Sequence, residues 1–174
     1  MNLPNAITLF RVILIPFFIN LMIYGYYPAA LAVFVAACIT DALDGMIARL
    51  MNSKTDLGAF LDPMADKLLI VSAFVTLVLL QMLPVWLAII VISRDVILVL
   101  GSITIYFMRH EFTVRPSIIG KLTTVLQLLC LTLTLVQKNY GTELGMMQLL
   151  YWSTATITVA SGVQYVVRGM KLAA

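Results

Sequence analysis

Six apolar stretches, each close to the length of a bilayer crossing, constrain this chain more than any other feature. They run from about Ile7 to Tyr26, Pro28 to Leu50, Gly58 or Asp62 to Met82, Pro84 to Met108, Ile118 to Val136, and Met146 to Val167. A helix needs roughly 20 apolar residues to cross hydrocarbon. Lipid offers no partner to backbone N–H and C=O groups, so the segments must satisfy their own as helices. The pattern predicts an all-α integral membrane protein, a bundle of six transmembrane helices forming one domain over residues 1–174. Composition agrees: 62% of residues are hydrophobic and 11% charged, against about half and a quarter in soluble domains. A core of this size could not hide that much apolar surface.

The breaks carry turn chemistry. Tyr24-Gly25-Tyr26-Tyr27-Pro28 combines interfacial aromatics with a proline suited to open a helix. Leu83-Pro84 reads as a tight break, and Asn139-Tyr140-Gly141-Thr142 as a polar loop. Basic residues set the orientation. Arg11, Arg49, Lys54, Arg109, Arg115, Lys121, Arg168 and Lys171 fall on one side of a six-helix weave, and Lys138 on the other. Positive charge gathers on the cytoplasmic face, which predicts cytoplasmic N- and C-termini. The same bias accounts for the net charge of +3; no basic patch interleaved with aromatics suggests nucleic acid. Cys38 and Cys130 lie in apolar stretches without metal-binding or redox spacing, so buried free thiols are expected. Ala30-Leu31-Ala32 mimics a signal cleavage site, but no basic residue precedes Arg11, so the first stretch is expected to be a retained helix.

The chemistry concentrates at one junction. Asp41, Asp44, Gly45, Ala48 and Arg49 end the second stretch; Gly58, Asp62 and Asp66 open the third. Asp41 and Asp44 are three apart, Asp62 and Asp66 four apart, so each pair shares a helix face. At 1.5 Å per residue, Asp41 lies ~13 Å from the helix end and Asp66 ~12 Å from Gly58. Antiparallel packing would bring the four to similar depth on the cytoplasmic side. Ionisable groups inside a membrane are costly and default to function. Clustered carboxylates need cations to stay ionised together. An oxygen-only ligand set suits Mg²⁺, Mn²⁺ or Ca²⁺, and a pair of such ions about 4 Å apart clamps an in-line displacement at phosphorus. Gly45 and Ala48 leave room for a bulky group against the helix, and Arg49 could pair with a phosphate. The bland reading, carboxylates neutralised by neighbouring Arg and Lys, accommodates one aspartate more readily than four.

This stretch resembles the signature of the CDP-alcohol phosphotransferase family, D-x-x-D-G-x-x-A-R followed by eight residues and G-x-x-x-D-x-x-x-D. Every fixed position matches, at Asp41, Asp44, Gly45, Ala48, Arg49, Gly58, Asp62 and Asp66. Pro4-Asn5-Ala6-Ile7-Thr8-Leu9-Phe10-Arg11 is similar to the family's N-terminal segment, and six transmembrane helices is the family's architecture. The resemblance implies two divalent metal ions, Mg²⁺ or Mn²⁺, bound by Asp41, Asp44, Asp62 and Asp66. It implies that Asp66 is also the general base, that Gly45, Ala48, Arg49 and Gly58 line a cytidine diphosphate pocket, and that Asn5, Thr8 and Arg11 help hold the pyrophosphate. A CDP-activated lipid would donate its phosphatidyl group with release of CMP. The active site would open to the cytoplasm, the expected location being a bacterial-type inner membrane, and the protein would be a homodimer.

Within the family, the chain resembles the branch that makes phosphatidylglycerol phosphate or cardiolipin, which implies CDP-diacylglycerol as donor and a glycerol-containing acceptor. Ser93-Arg94-Asp95 is similar to the CMP-forming cardiolipin synthases, where phosphatidylglycerol-phosphate synthases usually show Ala-Arg-Glu. Users of glycerol phosphate commonly carry a second lysine at the position of Thr123. A phosphomonoester carries about two charges near neutral pH; a phosphodiester needs fewer cations. Arg94, Arg115 and Lys121 could bind either acceptor, with phosphatidylglycerol slightly favoured over glycerol 3-phosphate. Adjacent residues on a helix do not face each other, so Arg94 is expected to meet a phosphate rather than Asp95. Lys67 reads as a snorkelling residue and His110 as a solvated loop residue. A divalent-cation transporter is the rival of another class, but would spread its carboxylates across the midplane with broken helices and a repeat; neither is present.

Overall fold

In the computed structural model the backbone is described for residues 3–50, 56–109, 118–141 and 145–173, and side chains for 9–40, 67–101, 118–141 and 145–170. The described residues form six α-helices in chain order: α1 (Leu3–Ile23), α2 (Tyr27–Leu50), α3 (Asp56–Leu79), α4 (Val85–Arg109), α5 (Ile118–Tyr140) and α6 (Met147–Ala173). They match the six apolar stretches, and most reach further. Asn139, expected in a loop, is still inside α5. Its amide Nδ2 donates to the Tyr27 carbonyl at 3.2 Å, and Lys138 Nζ sits 5.3 Å from the Tyr27 ring centroid. Tertiary partners at the α2 start thus extend α5 through a sequence that locally reads as a turn.

Helix ends follow backbone chemistry. After α1 the Tyr26 N–H reaches the Leu21 carbonyl at 2.9 Å and the Gly25 N–H reaches Met22 at 3.2 Å, with Gly25 at φ 79°. That is the paired bonding of a Schellman stop, which glycine enters without a Cβ clash. The same pair of bonds closes α3, from Met82 to Leu77 and Gln81 to Val78. There Gln81 adopts φ 57° without being glycine.

The chain divides into two compact units. One holds Met1–Met82 and Leu131–Glu143, the other Leu83–Cys130 and Leu144–Ala174. In the first, α1 packs against both α2 and α3. Its buried stripe is Arg11, Ile15, Phe18 and Met22, that of α2 is Ala30, Phe34 and Ala37, and α3 buries Leu69, Ile70, Ala73, Phe74 and Leu77. These spacings of three and four keep apolar groups on one helix face. Phe18 and Phe34 meet with ring centroids 5.6 Å apart. In the second unit α4 packs against α6; Trp86 and Trp152 stack at 4.9 Å. Cys130 is buried and Cys38 half-buried, and both are free. Many large apolar side chains stay exposed, among them Phe17, Leu79, Ile89, Leu100, Val125 and Val163. Among the described residues, one helix, Ile118–Tyr140, is long and apolar enough to cross a membrane; Leu9–Ile23, Tyr27–Thr40 and Lys67–Leu79 are shorter apolar runs.

Candidate active site

The signature falls on two helices. Asp41, Asp44, Gly45, Ala48 and Arg49 belong to α2; Gly58, Asp62 and Asp66 belong to α3; Asn5 and Thr8 belong to α1. The helical backbone keeps the three- and four-residue spacing of the aspartate pairs meaningful. The side chains of these residues, and the whole of Arg115, lie outside the described residues. As a donor set, four carboxylates without imidazole or thiolate fit hard divalent cations such as Mg²⁺ or Mn²⁺. Among the described residues no group of three or more His, Cys, Asp or Glu comes together.

Arg11 is the described member of the nucleotide set. It sits in the α1 stripe with Ile15, Phe18 and Met22 and is only 1% exposed. A charge so deeply buried among apolar neighbours is costly unless a charged or polar partner meets it.

The second unit has a polar interior that the sequence announced only in part. Arg94, Asp95, Thr123, Gln127, Thr154, Thr158 and Ser161 are all buried. Contrary to expectation, Arg94 does meet its neighbour: Nη1 donates to Asp95 Oδ1 at 2.8 Å. The long arginine stem lets the guanidinium swing sideways around the helix, which the rule for short adjacent side chains ignores. Nη2 donates to Ser161 Oγ in α6, also at 2.8 Å. Arg94 Nε, though buried, has no hydrogen-bond partner. The Arg94 stem runs along Gly162, where an added Cβ would lie 3.6 Å from Arg94 Cγ. Thr123 Oγ1 lies 2.9 Å from the Ile119 carbonyl oxygen and 3.4 Å from that of Ile157 in α6. Gln127 Nε2 donates to Thr158 Oγ1 at 3.5 Å. Lys121 is exposed near the start of α5. Sequence reasoning missed Ser161. The available signal was the run of hydroxyl residues Thr154, Thr158 and Ser161 at spacings of four and three in an apolar helix.

The family model for CDP-alcohol phosphatidyltransferases matches residues 1–161, taking in the aspartates, Arg11 and the Arg94 cluster. The chain belongs to this family. As a CDP-alcohol phosphatidyltransferase it is similar to three kinds of relative. A probable phosphatidylglycerophosphate synthase of Mycobacterium tuberculosis is 32% identical, covering 98% of this chain and 82% of that one. The CDP-diacylglycerol–glycerol-3-phosphate 3-phosphatidyltransferase of Bacillus subtilis is 32% identical over 94% of this chain and 93% of its own. The CMP-forming cardiolipin synthase of Homo sapiens is 35% identical over 98% of this chain and 62% of its own. This phosphatidyltransferase thus resembles enzymes whose names carry different acceptors at nearly equal identity.

Proposed function

We propose that this phosphatidyltransferase is a single-domain integral membrane enzyme that transfers the phosphatidyl group of CDP-diacylglycerol to a glycerol-containing acceptor, releasing CMP. One observation carries the reading: the full acidic signature lies on α2 and α3, the two helices that pack against α1 and its buried Arg11. Register supports it. The α2 stripe of Ala30, Phe34 and Ala37, carried on at the same spacing, reaches positions 41 and 44. Read backward from Ala73 and Leu69, the α3 stripe reaches positions 66 and 62. Helical periodicity therefore aligns the acidic residues with the packed face rather than the lipid face.

In this reading Asp66 takes the proton of the acceptor hydroxyl as its oxygen attacks the phosphorus bearing diacylglycerol, and the bond to the CMP oxygen breaks. Arg11, Arg49, Asn5 and Thr8 hold the pyrophosphate; Gly45, Ala48 and Gly58 let cytidine approach the helices. Two divalent ions, held by Asp41, Asp44, Asp62 and Asp66, would supply charge neutralisation at the reacting phosphate. The basic residues concentrated at one end of the weave support a cytoplasmic-facing site, with all six helices as membrane spans, both termini inside and the bacterial-type inner membrane as location. The homodimer follows from the family resemblance.

Arg94, Arg115 and Lys121 are the acceptor-binding set. The Arg94–Asp95 pair favours phosphatidylglycerol as acceptor. With Asp95 offsetting the arginine charge, this interior is better matched to the single charge of a phosphodiester than to the roughly doubled charge of a phosphomonoester. The test is purified enzyme with CDP-diacylglycerol and each acceptor separately, following CMP and lipid product. Cardiolipin from phosphatidylglycerol is expected; consumption of glycerol 3-phosphate alone would reassign the acceptor. Mg²⁺ uptake into proteoliposomes without any CMP release would replace the enzyme with a transporter.

A further inference from the structure

We infer that Ser161 of α6 is a positioning residue that sets the orientation of the Arg94 guanidinium toward an anionic phosphate oxygen of the acceptor. The inference rests on the reading of Arg94 as acceptor-binding and adds to it a residue outside the family signature.

The geometry is specific. Arg94 has five N–H donors in a planar fork. One on Nη1 goes to Asp95 Oδ1 and one on Nη2 to Ser161 Oγ, each at 2.8 Å. Nε stays buried with its hydrogen unclaimed. In an arginine, Nε and Nη2 form the side-on edge that grips two oxygens of one anion. Ser161 holds Nη2, so it fixes the rotation of that edge about the side chain, while Gly162 lies against the stem. Arg94, Asp95 and Ser161 are 7%, 5% and 2% exposed. Leaving a buried donor unsatisfied is costly, and a phosphate oxygen at the Nε edge would remove that cost on binding. Asp95 belongs to the same helix as Arg94 and cannot report on α6. Ser161 alone ties the guanidinium to the second helix, so a shift of α6 against α4 would turn the fork.

The variants are Ser161→Ala, Ser161→Cys and Arg94→Gln, assayed by steady-state CMP release with whichever acceptor the enzyme consumes, and by thermal melting. Cysteine keeps the serine's volume but accepts hydrogen bonds poorly, so it separates the bond from the packing. Ser161→Ala and Ser161→Cys should each raise the acceptor KM roughly tenfold, the scale of a hydrogen bond to a charged group. Their kcat and CDP-diacylglycerol KM should stay within about twofold, within the spread of uncoupled sites. A normal acceptor KM in Ser161→Cys refutes the positioning role, even where Ser161→Ala is impaired or fails to fold. An equal rise in both KM values, tracking a lower melting temperature, also refutes it by showing a purely structural role. Arg94→Gln separates the two layers. If it raises the acceptor KM while Ser161→Cys does not, only the positioning inference falls. If it leaves the acceptor KM unchanged, the acceptor role of Arg94 falls and the inference with it.

Discussion

Replacing Asp95 by leucine tests whether the buried pair in α4 is energetically what its geometry says. Arg94 and Asp95 side chains are 7% and 6% exposed and meet at 2.8 Å. Taking Asp95 away leaves a guanidinium buried with the Ser161 hydroxyl as its remaining neutral partner. Breaking a buried ion pair on one side typically costs about 3–5 kcal/mol, because the surviving charge is neither solvated nor neutralised. Interhelical hydrogen bonds between neutral groups in membrane proteins average only about 0.6 kcal/mol. The charge term therefore decides, and Asp95→Leu should be far more damaging than Ser161→Ala. At roughly 2–4 °C per kcal/mol for a chain of this size, the melting temperature should fall by about 6–20 °C. The double variant Arg94→Met/Asp95→Leu removes both charges and should melt within about 2 °C of the parent, since apolar replacements of buried pairs are often neutral. It should still be impaired toward the acceptor. Melting of purified protein in one detergent, with activity measured in parallel, supplies both readouts. The reasoning fails if Asp95→Leu melts like the parent, or if the double variant is no better than Asp95→Leu alone.

Other perturbations follow from the same geometry. Gly101→Ala would place a Cβ 2.8 Å from Tyr165 Cε1, inside van der Waals contact, and should cost about 1–3 kcal/mol in melting experiments. Gln81→Gly relieves a left-handed residue at φ 57° and should raise stability by up to about 1 kcal/mol, with activity unchanged. Asp66→Asn should lower CMP release roughly 10²–10⁴-fold while CDP-diacylglycerol still binds, as measured by single-turnover and binding assays. Chelation should abolish turnover, and Mg²⁺ or Mn²⁺ should restore it; full activity in metal-free buffer would contradict the four-carboxylate reading.

Much of the fold was legible because its cause is local. Apolar runs of bilayer length leave a backbone little choice but helix, and α2 and α4 begin within a residue of where Pro28 and Pro84 indicate. The helix ends were less legible. Asn139 carries a turn signal, yet its bond to Tyr27, 112 residues away in sequence, keeps it helical. Gln81 ends α3 in a conformation no propensity scale would assign it. The acidic signature was readable as spacing alone, since i, i+3 and i, i+4 positions share a face on any helix. The Arg94 environment was not, because the length of the arginine stem and a hydroxyl 67 residues away set it.

By itself, the sequence determined a six-helix chain of the CDP-alcohol phosphatidyltransferase family, with its carboxylates paired by spacing on two helices. Those properties depend on hydrophobic run length and helical period, which are encoded residue by residue. Only the tertiary structure decided that Arg11 lies in a buried stripe, that Arg94 is shared between Asp95 and Ser161, and that Thr123 is packed out of solvent. Burial and pairing of a polar group depend on which helix covers it, and that choice is made by the packing of distant segments.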